Sequence, residues 1–176
     1  MEMEHFSYPD ALRYIAKKYN IEIQEEELTK EQIDFANEKE SLFIISKYAK
    51  DYFQDILWNS DEGRIVGLSY FKERGFTEQI IKKFNLGYSP KEKNALSRNA
   101  IKKGYDKKIL ITSGLSLMNE NTEIIIDRFK ERIIFPITSY SGRVLGFGGR
   151  SFNIHAKAKY LNSPETLIYH KSKVLY

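Results

Sequence analysis

Apolar residues recur at helical spacing through the first sixty positions. Leu12, Ile15, Ala16 and Tyr19 fall at i, i+3, i+4 and i+7. That stripe predicts a helix over "YPDALRYIAKKYN", capped by Ser7 with Pro9 in its first turn. The acidic connector "QEEELTK" follows. Thr29 with Gln32 three residues on forms a capping box. Beyond it, Leu42, Ile45, Ala49, Phe53 and Ile56 mark one face of a long amphipathic helix, or two in series, over "EQIDFANEKESLFIISKYAKDYFQDILW".

The middle of the chain breaks into shorter pieces. "SDEGRIVGLSYFKERG" predicts a helix capped by Ser60 and closed by Gly75. Thr77 caps "EQIIKKF", and "NLGYSP" reads as extended. "NALSRNAIKKGY" and "KKILITSGLS" predict two more short helices, each closed by a glycine. After residue 122 the period changes from helical to strand-like. "RIIFPIT" and "RVLGFGG" flank the turn "SYSG", a hairpin pattern. Pro136 has no N–H to donate, so it belongs at an edge or a bulge. "NIHAKAK" reads as a polar loop. A helical front and a β-rich back give an α+β fold, with a small mixed or antiparallel sheet and a bent glycine-rich strand.

That strand, "GRVLGFGGRSF" at 142–152, resembles a phosphate cradle only superficially. Gly146 and Gly148 give G-x-G, but position 151 is Ser151 and no amphipathic helix follows. The Walker pattern is absent as well. The better reading is that glycines inside a strand permit a bulge or a close backbone approach, with a bend at Gly148 and Gly149 that aims Arg150 off the end of the strand.

Composition narrows the chemistry. The 176 residues contain no cysteine, which removes disulfides and thiolate metal sites and fits a reducing compartment. His5, His155 and His170 are too scattered for a metal set. No apolar run reaches membrane-spanning length, and "MEMEHFSYPD" lacks the core of a signal peptide. The net charge of +4 hides a gradient. Residues 1–60 carry 7 Lys/Arg against 13 Asp/Glu, a net of −6. Residues 61–142 carry 15 against 10, and residues 143–176 carry 6 against 1, each a net of +5. Basic charge interleaved with Tyr and Phe suits a polyanion, and equally a merely solvated basic face.

Arg150 has cationic company. Lys157, Lys159, Lys171 and Lys173 lie downstream with Tyr160 and Asn162, and Arg128, Lys130 and Arg132 lie upstream in "DRFKER". Cations with aromatic and amide side chains are what a single-strand groove uses to track phosphates and stack bases. Each also has an ordinary reading. Arg128 and Arg132 could pair with Asp127 and Glu131, and Tyr160 could be core. Asn162 or Ser163 could cap a helix opening at Pro164.

The motifs "RGFTEQIIKKFNLGYSP", "DRFKERIIFPITSYSGRVLGFGGRSF", "KYLNSPET" and "HKSKVLY" occur in this order. Together they resemble the catalytic core of DnaG-type bacterial DNA primases, from about residue 7 to the last residue. The resemblance implies that residues 1–25 are the end of a zinc-binding domain and its connector. Residues 26–176 would be the basic N-terminal subdomain of the RNA polymerase core, ending before the metal-binding TOPRIM subdomain. It implies an enzyme that makes short RNA primers on single-stranded DNA from ribonucleotides, with Mg²⁺ or Mn²⁺ on TOPRIM acidic residues and Zn²⁺ in the N-terminal domain. Neither metal would be held by this chain, which alone would be inactive. A replicative helicase would dock through a separate C-terminal domain, at a cytoplasmic replication fork.

By motif match, Arg74, Arg128, Arg132, Arg150, Lys159, Tyr160 and Asn162 would face the template, and Lys171 the nucleotide. Lys130 stands where this family more often has arginine, and a lysine lacks the bidentate fork for phosphate. "ITSY" replaces a more charged turn. The competing classes are a free-standing single-strand binder and a protein-interaction domain with an incidental basic face.

Overall fold

The computed structural model describes residues 14–16, 18–19, 29–119, 124–153, 156 and 158–173. The helix expected over 8–20 lies mostly outside this set, as do Ile154, His155 and Lys157 of the loop expected over "NIHAKAK". The chain divides into two compact units, Met1–Phe35 and Ala36–Tyr176. In the first, the capping box forms as its residue types require. The Thr29 N–H donates to Gln32 Oε1 at 2.9 Å, and the Gln32 N–H donates to Thr29 Oγ1 at 3.3 Å. It opens helix α1 (Lys30–Asn59).

In the second unit, α1 buries Leu42, Ile45, Ala49, Phe53 and Leu57. The stripe therefore ends on Leu57 rather than Ile56, which is half-buried. The helix expected from Ser60 to Gly75 is two pieces, a π-helical stretch (Gly63–Leu68) and α2 (Ser69–Glu73). Ser60 Oγ still accepts from the Gly63 N–H at 2.9 Å. Gly75 closes α2 at φ +77°, a conformation that costs glycine nothing. Thr77 caps α3 (Glu78–Lys83) through the Ile80 N–H. "NLGYSP" supplies β1 (Gly87–Ser89).

Helices α4 (Ala95–Lys102) and α5 (Lys107–Thr112) come next. A two-stranded ribbon, β2 (Ser116–Met118) with β3 (Ile125–Asp127), was not apparent in the sequence pattern. The remaining strands are β4 (Arg132–Thr138), β5 (Val144–Ser151) and β6 (Tyr160–Asn162). They join β1 in an antiparallel sheet of order β1-β4-β5-β6.

Pro136 sits in β4 beyond its pairing with β1, so its missing N–H faces no partner strand. The register slips at Ile137/Thr138, opposite Gly146 and Val144. The bulge is therefore near the hairpin turn and not at Gly148–Gly149, contrary to the sequence expectation. β5 runs through both glycines and keeps Arg150 paired inside the strand, opposite Ile133 and Tyr160. The alternative of a helix opening at Pro164 is not what forms. Asn162 ends β6, the Ser163 N–H donates to the Phe147 carbonyl, and among the described residues a 3₁₀ turn (Lys171–Lys173) is the one element after it.

Two apolar clusters fill the faces of the sheet. Ile45, Ala49 and Phe53 of α1 meet Phe129, Ile134 and Phe147 in the first. Leu57, Phe71, Ile81, Tyr88 and Ile133 form the second. α4 lacks a cap from its own Asn94. Asp127 of β3 does that job from 30 residues away, accepting from the Leu96 N–H at 2.7 Å and the Ser97 N–H at 3.1 Å. Burial pushes this carboxyl up, and the donors around it pull it back toward the ionised form.

Asp127→Ala leaves both buried N–H groups without that acceptor. It is expected to cost about 1–3 kcal/mol, read as a lower urea midpoint. A second expectation concerns alkali. Burial holds the Tyr48 hydroxyl up to about 12 and raises Tyr52 and Tyr88 further. The folded chain then keeps these protons where the unfolded chain loses them. Stability should be full below about pH 10, the ordinary tyrosine value, and fall as the pH climbs toward 12. Urea melts at stepped pH, with phenolate absorbance alongside, check this.

Candidate nucleic-acid interface

A cleft of about 660 Å³ opens beside the end of β5. One wall comes from the π-helical stretch and α2, with Ile65, Val66, Tyr70 and Arg74. The other comes from the end of β5 and the segment leading to β6, with Arg150, Phe152 and Lys159. Its walls mix apolar and cationic groups. Ile65, 72% exposed, stands at the rim.

Tyr70 organises the charges. Its ring packs edge-on against Phe71 and Phe152, at centroid distances of 5.6 and 5.1 Å. Arg74, one helical turn on, lays its guanidinium 3.9 Å from the ring centroid. Arg150 reaches the same ring from β5 at 5.0 Å and donates from Nη1 to the Tyr70 hydroxyl. Arg150 also lies 5.6 Å from the ring of Tyr160, which is 65% exposed. Two guanidinium groups thus share one aromatic ring, and among the described residues neither is in an ion pair. Like charges this close favour an anion between them.

The sequence candidates separate in space. Arg74, Arg150 and Lys159 line the cleft, and Tyr160 joins it through Arg150. Asn162 is two residues along β6 from Tyr160, hence on the same face, opposite Gly148. Arg128 is half-buried outside the cleft, with its Nε enclosed and without a hydrogen-bond partner, and burial lowers its pKa. Asp127 is occupied by α4, so it forms no ion pair with Arg128. Arg132 is buried beneath the cleft, bonded to backbone carbonyls. Lys171 is exposed and opens the 3₁₀ turn, its N–H donating to Glu165 Oε1 at 2.9 Å. It does not line the cleft.

Tyr70 escaped the sequence reading. The signal was present as Tyr70-x-x-x-Arg74, an i, i+4 pair on one helical face.

Residues 52–176 match the family model for the N-terminal domain of the DNA primase catalytic core. The chain belongs to this DNA primase family. Over 99% of its length it is 33% identical to the DNA primase of Staphylococcus epidermidis and 36% identical to that of Deinococcus radiodurans. It spans 29% and 28% of those relatives. A DnaG primase catalytic domain solved with single-stranded DNA superimposes with a TM-score of 0.73 and 31% identity, covering 80% of this chain and 44% of that one. The RNA polymerase domain of Mycobacterium tuberculosis DnaG, solved with double-stranded DNA bearing a 6-nucleotide overhang, gives 0.71 and 33%, covering 77% and 41%. The helical front and small antiparallel sheet thus match part of the solved primase catalytic cores.

Tyr70→Phe keeps the ring under both guanidinium groups and deletes the hydroxyl that Arg150 bonds. Side-chain ¹⁵N relaxation should then show Arg150 loosened and Arg74 unchanged. Equal loosening of both would mean that the ring, not the hydroxyl, sets their order.

Proposed function

We propose that this chain carries the single-stranded DNA template of a primase along the Arg74–Arg150–Lys159 cleft. The observation that carries the reading is the pair of guanidinium groups sharing Tyr70, with neither in an ion pair among the described residues. The cations would neutralise phosphates. Tyr160 would offer a stacking face, and Asn162 a bond to backbone or base edge. The whole protein would make short RNA primers from ribonucleotides, with a replicative helicase as a further partner. No described helix is long and apolar enough to cross a membrane.

The donor set of the cleft does not fit a divalent cation. Guanidinium and ammonium groups have no lone pair to give, and among the described residues Glu73 is the one carboxylate lining it. With no cysteine in the chain, a thiolate zinc site does not fit either. Mg²⁺ or Mn²⁺ for nucleotidyl transfer would be held elsewhere in the protein, and we propose that this chain alone makes no primers.

Binding of a labelled oligothymidylate should be weak, on the order of 10⁻⁴ to 10⁻⁶ M at physiological salt. Removing one cation from a single-strand phosphate lowers the salt slope by roughly 0.7. Arg150→Ala with Lys159→Ala should therefore flatten it by about 1.4. Tyr160→Ala should weaken binding with little change in slope. A double variant that binds like the unaltered chain, with the same slope, would sink the reading. So would the absence of any single-strand affinity at low salt, the result expected of a protein-interaction domain.

A further inference from the structure

Arg132 lies in the interior, yet its charge meets no carboxylate among the described residues. It is 9% exposed, and burial lowers its pKa. Nη1 donates to the Gly149 and Lys159 carbonyls, each at 3.3 Å, and Nη2 donates to the Ala158 carbonyl at 2.9 Å. All three acceptors are backbone, from two separate segments. Among the described residues carbonyls alone solvate this buried charge, which is expensive to keep, so its retention calls for a reason.

The path to those carbonyls depends on Gly149. A Cβ there would sit 2.9 Å from Arg132 Cδ and 2.7 Å from Phe129 Cδ1. The missing side chain is what lets the arginine cross β5. At the far end, the Lys159 carbonyl also accepts from the Ser151 N–H at 2.9 Å. Two donors from different directions therefore fix that peptide. The next residue, Tyr160, is the first of β6 and stands opposite Arg150. Lys159 lines the cleft, and Tyr160 lies under the Arg150 guanidinium.

We propose that Arg132 is a positioning residue whose carbonyl bonds fix the 158–160 backbone, so that Lys159 and Tyr160 stand at the cleft beside Arg150. The inference rests on the template-cleft reading above. It differs from a direct phosphate contact in one chemical respect. A lysine serves a phosphate as a point charge, but its single nitrogen cannot replace a planar fork that serves acceptors from two nitrogens.

The test is single-strand binding by Arg132→Lys and Arg132→Met, alone and combined with Lys159→Ala/Tyr160→Ala, with thermal melts confirming a folded chain. Both Arg132 variants should bind about five- to tenfold more weakly, with no rescue by lysine. In the Lys159→Ala/Tyr160→Ala background neither should weaken binding further, because the residues they position are gone. Wild-type binding by Arg132→Lys overturns the proposal, as does a loss that persists undiminished in that background. If the Arg132 variants do not fold, Gly149→Ala enters the same cycle, crowding the arginine while keeping its charge. Lys159→Ala/Tyr160→Ala binding like wild type overturns the template-cleft reading itself. Weak binding there, with Arg132→Lys unaffected, overturns only the positioning role.

Discussion

Ile133 and Ile134 are neighbours in β4 and belong to different cores. Ile133 packs with Leu57, Phe71 and Tyr88, and Ile134 with Ile45, Phe53 and Phe147. Successive side chains of a strand point to opposite faces, so one strand serves both clusters. A slip of one residue in the β4–β5 register would exchange the two isoleucines and leave both cores wrong. That register also sets Arg150 opposite Ile133 and Gly149 opposite Ile134. The cleft and the passage for Arg132 depend on it.

The cleft balances unlike requirements. Among the described residues the cations are kept near one another by a ring, not by counter-ions, so they stay available to a ligand. Tyr70 attracts both guanidinium groups through its face and gives one of them a hydroxyl partner. The apolar packing of Phe71 and Phe152 holds the ring itself in place. Repulsion within the cationic set is thereby borne by the hydrophobic core, which does not weaken with salt.

Local chemistry was legible wherever it was decided within a few residues. The Thr29–Gln32 box, the Thr77 cap, the Gly75 turn and the β4–β5 hairpin all arise from short patterns. What distance decides was not legible. Asp127 looked like a partner for Arg128, but it caps a helix that precedes it by some thirty residues. "NSPET" carried good cap-and-proline chemistry, yet Asn162 was drawn into β6 by pairing with β5. The glycines at 148–149 signalled a special backbone. Gly149 in fact signals a close approach, which depends on an arginine seventeen residues away. For the candidate residues, sequence order grouped Arg128 and Arg132 with Arg150. The fold sets Arg132 underneath and Arg128 aside.

The two neighbours of β4 arrive on very different terms. β5 comes after a five-residue connection. β1 pairs with β4 only after the chain has left residue 89, made α4, α5 and the β2–β3 ribbon, and come back at residue 132. Closing the short loop costs little entropy, whereas closing the long excursion costs more and gains nothing until both ends meet. The hairpin is accordingly the cheap nucleus of the sheet. The excursion is tied at its neck by the Glu131 N–H on the Pro90 carbonyl and the Asp127 N–H on the Lys93 carbonyl, and it packs Leu96, Ala100, Leu110 and Leu115 into the first core. Length changes at the far tip of that excursion would leave the hairpin, and the arginine it carries, in register.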